Sequence, residues 1–114
     1  MKKRMGPPAS HLKIMIWEAK VEVYISLAMM DSKTACGEQR GNQIIIHPKV
    51  QSIHELLDTF CHEILHPLLD KYESIEEDER VVEYCTKKVM RSLTGFERMR
   101  LFLKLAQSLK KVDL

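Results

Sequence analysis

Hydrophobic positions along the chain change period several times, and each change marks a new element. After His11 the apolar residues alternate, first Ile14 and Ile16, then Val21, Val23, Ile25 and Leu27 against Glu22, Tyr24 and Ser26. Period two with β-branched residues is the pattern of a half-buried strand. Strands are therefore expected near 12–17 and 21–29, with a short turn at Glu18-Ala19-Lys20. A polar stretch from Asp31 to Thr34 follows, and Glu38-Gln39-Arg40-Gly41-Asn42 has the composition of a hairpin turn. Ile44-Ile45-Ile46 reads as a short strand closed by His47-Pro48.

Beyond residue 50 the period lengthens. Ser52-Ile53-His54-Glu55 has the form of a capping box, a serine with a glutamate three residues on. Ile53, Leu56, Leu57, Phe60, Cys61, Ile64 and Leu65 then recur at three and four, which predicts an amphipathic helix over 53–66. Pro67 is expected to end or bend it, because proline has no amide to donate back to residue 63. Residues 67–75 read as a connector. A second helix starts among Glu76, Glu77, Asp78 and Glu79, with Val81, Val82, Cys85, Val89 and Leu93 as its stripe and Gly95 as its stop. Phe96 to Leu109 predicts a basic third helix through Met99, Leu103, Leu105 and Ala106. No repeat or low-complexity stretch interrupts this order.

The composition agrees with one packed domain. The chain has 114 residues, 45% apolar and 30% charged, which suits a single α+β domain over 1–114 with a small, mostly antiparallel sheet. Residues 1–10 read as a mobile basic tail. No apolar run reaches the roughly 18–20 residues that span a bilayer, and Pro7-Pro8 after the basic start is unlike a secretory segment. Cys36, Cys61 and Cys85 are widely spaced, three in number and without a CxxC pair. That argues against a disulfide framework or a thiolate zinc knuckle and suits a reducing cytoplasm. The net charge of +2 conceals a division: residues 51–90 carry four Lys/Arg against ten Asp/Glu, while both flanks are basic. An acidic middle is a poor nucleic-acid surface, and Lys2, Lys3, Arg4, Lys110 and Lys111 read as solubilising ends.

Chemistry concentrates in His62-Glu63-Ile64-Leu65-His66. Histidines four apart project from one helix face roughly 6 Å from each other, a spacing that lets both reach one zinc ion at about 2.0–2.1 Å. Glu63 is offset by about 100° around the helix, so it is placed to take a proton from metal-bound water rather than to join the ligand row. A shuffled chain of this composition would contain HExxH roughly 2% of the time, and requiring a capped amphipathic helix lowers that further. The plainer alternative is a pair of packed or solvated histidines.

A catalytic zinc site needs a third protein ligand. The acidic helix offers Glu76, Glu77, Asp78, Glu79 and Glu83. Glu79 is the preferred ligand, with Glu83, four residues on, steadying a ligand histidine from behind. The swapped assignment, Glu83 as ligand, stays open. Asp58 is a further candidate to orient His62, and Cys61 is expected to pack in the core. Tyr72, Tyr84, His47 and His54 are each candidates to stabilise an oxyanion, and sequence does not choose among them.

The strand Ile44–Ile46, Glu55-Leu56-Leu57-Asp58-Thr59, the HExxH run and the acidic helix together resemble a family of small zinc-peptidase-like proteins. These are the minimal gluzincins akin to ImmA/IrrE-type metallopeptidases, more distantly the SprT-like proteins, many from phages and bacteria. The resemblance covers about residues 20–92. It implies a zincin-like sheet packed on the active-site helix, with His62, His66 and a glutamate of the next helix holding Zn2+ and Glu63 as general base. Thermolysin-like gluzincins carry an acid four residues after that glutamate, which favours Glu79 with Glu83. The implied activity is peptide-bond hydrolysis, with a peptide or protein substrate held along the strand near Ile44–Ile46 by β-addition. The alternatives are a zinc-binding, non-catalytic regulatory or protein-interaction factor, and a DNA-associated SprT-like factor, which the modest basic charge argues against.

Overall fold

The computed structural model of the chain describes residues 6–32, 34–50, 52–70 and 79–111. It is an α+β fold of four helices and one three-stranded sheet: α1 (Ala9–Glu18), β1 (Glu22–Ile25), β2 (Gly37–Arg40), β3 (Gln43–Ile46), α2 (Ile53–Asp70), α3 (Glu79–Ser92) and α4 (Gly95–Ser108). The expected tail over 1–10 lies outside the described residues up to Met5, and its end joins α1.

The strand expected over 12–17 is a helix. Leu12 and Ile16 are fully buried while Ile14 between them is 54% exposed. Spacing of i and i+4 fits one helix face as well as it fits alternate strand positions, and only the helix leaves Ile14 outside. Pro8 at the N-cap suits a helix start, with its carbonyl accepting from Leu12 N–H at 3.0 Å. Lys13 then reaches both the Ser92 carbonyl and the Glu97 carboxylate, each at 3.0 Å, and ties α1 to the junction of α3 and α4.

The sheet has the order β1-β3-β2, with β3 parallel to β1 and antiparallel to β2. It is thus mixed rather than mostly antiparallel. The chain leaves β1, overshoots by one strand width, descends as β2 and returns through Gly41-Asn42 into the gap. Gly41 has φ of +58°, the left-handed conformation that glycine adopts without steric cost. A central position explains the unbroken isoleucines, since Ile44, Ile45 and Ile46 are all fully buried and a strand covered on both faces has no polar side. It also overturns the expectation that Ile44–Ile46 takes up substrate, because β3 is already paired on both sides.

The two edges differ. Lys110 N–H donates to the Val23 carbonyl at 2.7 Å, and Leu109 bridges Val23, so the outer side of β1 is partly covered. On β2, Cys36 accepts from His47 N–H at 2.8 Å. By the alternation of an antiparallel ladder, the main-chain groups of Gly37 and Gln39 therefore face away from β3. β2 is the open edge.

Helix α2 packs across β2 and β3 and supplies Leu57, Phe60, Cys61, Ile64, Leu65 and Leu69 to a core shared with Val82, Cys85 and Val89 of α3. Its start is capped as expected: Ser52 Oγ accepts from Glu55 N–H at 3.0 Å. Its end is not where proline suggested. α2 continues through Pro67 to Asp70, since proline removes only one intrahelical bond, at a cost of about 3 kcal/mol. Leu69, only 2% exposed beyond it, offsets a comparable amount, roughly 1.5–3 kcal/mol. The sequence Thr94-Gly95-Phe96-Glu97 begins α4 with a complete capping box. Gly95 is accordingly the first residue of a helix and not the stop of the one before.

Candidate metal centre

The site is built where the start of α3 crosses the middle of α2. His62 and His66 lie one turn apart on α2 with ring centroids 5.1 Å from each other and planes at 68°. Both direct Nε2 at the same carboxylate of Glu79, which lies 2.5 Å from His62 and 3.1 Å from His66 through its two oxygens. The three residues offer ligand atoms all within 4.8 Å of one another, an arrangement that can bind a metal ion, and they are the only such group among the described residues. Two imidazole nitrogens and a carboxylate oxygen are the donor set of a three-ligand zinc site. The histidine side chains are 19% and 12% exposed, whereas Glu79 is 65% exposed, so the group opens outward on the Glu79 side.

Glu63 sits beside this group and is nearly sealed, 9% exposed. Among the described residues no hydrogen-bond donor or cation meets its carboxylate, which faces the cleft. Burial pushes its pKa up to about 7 from an ordinary 4.5, and the charges of Glu79 and Glu38 push in the same direction. A carboxyl near neutrality is poised to exchange a proton at physiological pH. Gly37 explains how β2 comes so close. A Cβ there would meet Thr59 Cγ2 at 2.8 Å, Glu63 Cγ at 3.0 Å and the Ile45 carbonyl at 3.2 Å, so any larger residue would lift the open edge off α2. Nothing local in the sequence marks this role.

Gly37, Cys36, Asp58, His62, Glu63 and Glu79 line a cleft of about 450 Å³ that runs from the three-residue group towards the start of α2. The other sequence candidates distribute around it. Glu83 is exposed on α3 and bonds neither imidazole, and Asp58 lines the cleft without a bond to His62. Glu76, Glu77, Asp78 and Tyr72 lie outside the described residues. His54 lines the far end of the cleft, its Nδ1 accepting from Arg98 at 3.2 Å. It lies two helical turns, about 12 Å, before His62, beyond direct reach of the metal group. His47 accepts from Lys49 N–H through Nδ1 at 3.0 Å, and Tyr84 is half exposed beneath the Lys88 ammonium. Neither lines the cleft. Cys61 is fully buried in the core, and burial pushes its thiol pKa far up, which makes it inert.

Comparisons with protein-family models, curated proteins and solved structures give no match. No helix among the described residues is long and apolar enough to cross a membrane.

Proposed function

We propose that the protein is a zinc-dependent peptidase of zincin-like architecture, with His62, His66 and Glu79 holding the ion and Glu63 as general base. The observation that carries this reading is the convergence of two imidazoles and one carboxylate, from two different helices, beside a buried and unpartnered carboxylate that opens on the same cleft. A bound zinc ion supplies a water of lowered pKa and polarises a carbonyl oxygen. A Glu63 carboxylate oxygen takes the proton from the attacking water and delivers it to the leaving amine nitrogen. Lining the cleft beside the two imidazoles, the Glu63 carboxylate is placed to carry that proton from one position to the other. Gly37 and Gln39 on the open edge of β2 offer main-chain donors and acceptors to an extended substrate, which would add as a strand beside α2.

Metal analysis of the purified protein, followed by peptide cleavage with wild type and Glu63→Gln, tests this. The expected result is one zinc per chain in both proteins and a loss of about 10²–10⁴-fold in turnover for the variant. Zinc in both with no cleavage by wild type would leave a metal-binding interaction protein in place of an enzyme.

A further inference from the structure

Helix α4 is apolar on two sides. Its inner side puts Leu101 and Leu105 into the core, while Phe96, Met99 and Leu103 are 76%, 64% and 50% exposed on the other. With Ala106, also exposed, they form a stripe at spacings of three, four and three, the repeat by which one helix seats against another. The periodicity that predicts this helix is thus mostly an outward one, since of its apolar positions only Leu105 joins the core. Five of the ten large apolar side chains exposed among the described residues lie on α4 or at Leu109 just beyond it. The stripe is therefore a patch and not the scatter usual on a protein surface.

This face is already indented. One hollow of about 240 Å³ is bounded by Phe96, Met99, Arg100 and Leu103. The next, of about 330 Å³, is bounded by Arg100, Leu103, Lys104 and Gln107, with Trp17 at its edge. Each is framed by residues i, i+3, i+4 and i+7 of one helix, the four-cornered hole that a side chain of a facing helix enters. A flat lipid surface calls for no such holes. The first hollow is apolar but for Arg100, whereas the second carries the Arg100 and Lys104 cations, with Arg100 over the Trp17 ring at 4.7 Å. Charge around the stripe has one sign. Residues 95–111 hold Arg98, Arg100, Lys104, Lys110 and Lys111 against the single acid Glu97, whose carboxylate Lys13 and Thr94 already occupy. A second copy fits this face poorly. Two α4 stripes would bring like charges together, and the exposed side of α3, with Glu79, Arg80, Glu83 and Lys87, has no aliphatic stripe to offer.

We propose that the outer face of α4 seats an amphipathic helix of another protein, with an apolar side chain in the first hollow and an acidic one, a turn away, at the second. No α4 residue lines the metal cleft, so this inference stands apart from the peptidase reading.

The probe is a fluorescein-labelled peptide of three heptads with Leu at a and d and Glu at e and g, titrated with the full chain by anisotropy beside a twin carrying Lys for Glu. Each peptide repels copies of itself and so stays single. The acidic peptide should bind at least about tenfold more tightly than its twin. Met99→Lys/Leu103→Lys should abolish that binding although it adds positive charge. It should leave the urea midpoint unchanged, because neither side chain belongs to the core. Arg100→Glu should cut the preference about fivefold. Equal binding of the two peptides, binding of neither, or binding that survives Met99→Lys/Leu103→Lys would overturn the proposal. Sedimentation of wild type with vesicles of equal parts phosphatidylcholine and phosphatidylserine, without binding of the acidic peptide, would overturn it in favour of a lipid contact. A dimer of the free chain that the same double variant dissociates would overturn it in favour of a second copy.

Discussion

Two glutamates stand at the starts of consecutive helices and are used in opposite ways. Glu97, in the first turn of α4, keeps its carboxylate at home: Oε1 accepts from Thr94 N–H at 3.0 Å and from the Lys13 ammonium at 3.0 Å. The Thr94 amide, then Lys13, hold its pKa below the usual carboxylate range. Glu79, the first residue of α3, makes no such closure and extends across to His62 and His66 on α2. The same residue type near a helix N-terminus thus serves the helix in one case and a neighbouring pair of imidazoles in the other. The difference is what each carboxylate meets. A capping threonine three residues back and a lysine from α1 satisfy Glu97 locally, whereas α3 crosses α2 where two histidines stand one turn apart. An acid that does not close on its own helix can instead join a group of possible metal ligands on another.

The largest way to break this comparison is Glu79→Ala. Zinc affinity should fall by at least about a hundredfold, since removing even an outer-shell partner of a metal ligand costs 10–100-fold. Stability of the chelator-treated protein should stay within about 0.5 kcal/mol of wild type, as for other exposed substitutions. Titration against a chromophoric chelator and urea denaturation read the two quantities. A stability loss with zinc retained would reverse the roles assigned to Glu79 and Glu97. Glu83→Ala is the companion control and should leave zinc affinity unchanged.

The next effect concerns the third carboxylate, Glu63. Its pKa in the chelator-treated folded protein is raised to about 7 from 4.5, so folding favours the protonated form. The contribution is full below about pH 4.5 and is lost as pH rises through 7, by about 3 kcal/mol at most. Urea denaturation between pH 4.5 and 8 in the presence of chelator should show this decline, and Glu63→Gln should flatten it. A profile in Glu63→Gln identical to wild type would show that the carboxylate is better solvated than its burial implies. Of similar or smaller size is Gly37→Ala, where crowding against Thr59 and Glu63 should cost about 1–3 kcal/mol and displace the open edge beside the site.

What could be read from the sequence is what is local in it. HExxH on a capped helix is written in fifteen consecutive residues, and α2 begins at Ile53 with its Ser52 cap as expected. Glu79 was separable from the other acids only by preference, because which acid meets the histidines depends on how α3 crosses α2. Leu12, Ile14 and Ile16 carry two periods at once, and the choice between them is made by what buries Leu12 and Ile16, far along the chain. Ile44–Ile46 announced a strand but not its central place, although an all-apolar run without alternation is the signal of a strand covered on both faces. The start of α4 carries two signals, since Thr94 with Glu97 three residues on is a capping box while Gly95 between them has the signature of a helix stop. Gly37 had no signal at all, since its importance lies in the approach of a strand and a helix remote in sequence.

The smallest effect closes the comparison from the other side. In Glu97→Ala, Thr94 N–H loses its acceptor and Lys13 loses one of its two partners while keeping the Ser92 carbonyl. Breaking half a capping box costs about 0.5–2 kcal/mol, and the partly exposed ion pair adds at most a fraction of that. A total near 1 kcal/mol is expected in urea denaturation. Zinc affinity should not change, because among the described residues α4 contributes no ligand to the histidine–glutamate group and meets the cleft through the bond of Arg98 to His54. The pair Glu79→Ala and Glu97→Ala therefore forms a double dissociation, metal without stability and stability without metal. If Glu97→Ala weakened zinc binding as well, the tie from Lys13 through the α3–α4 junction would have to set the position of α3, and the two glutamates would be parts of one device rather than two.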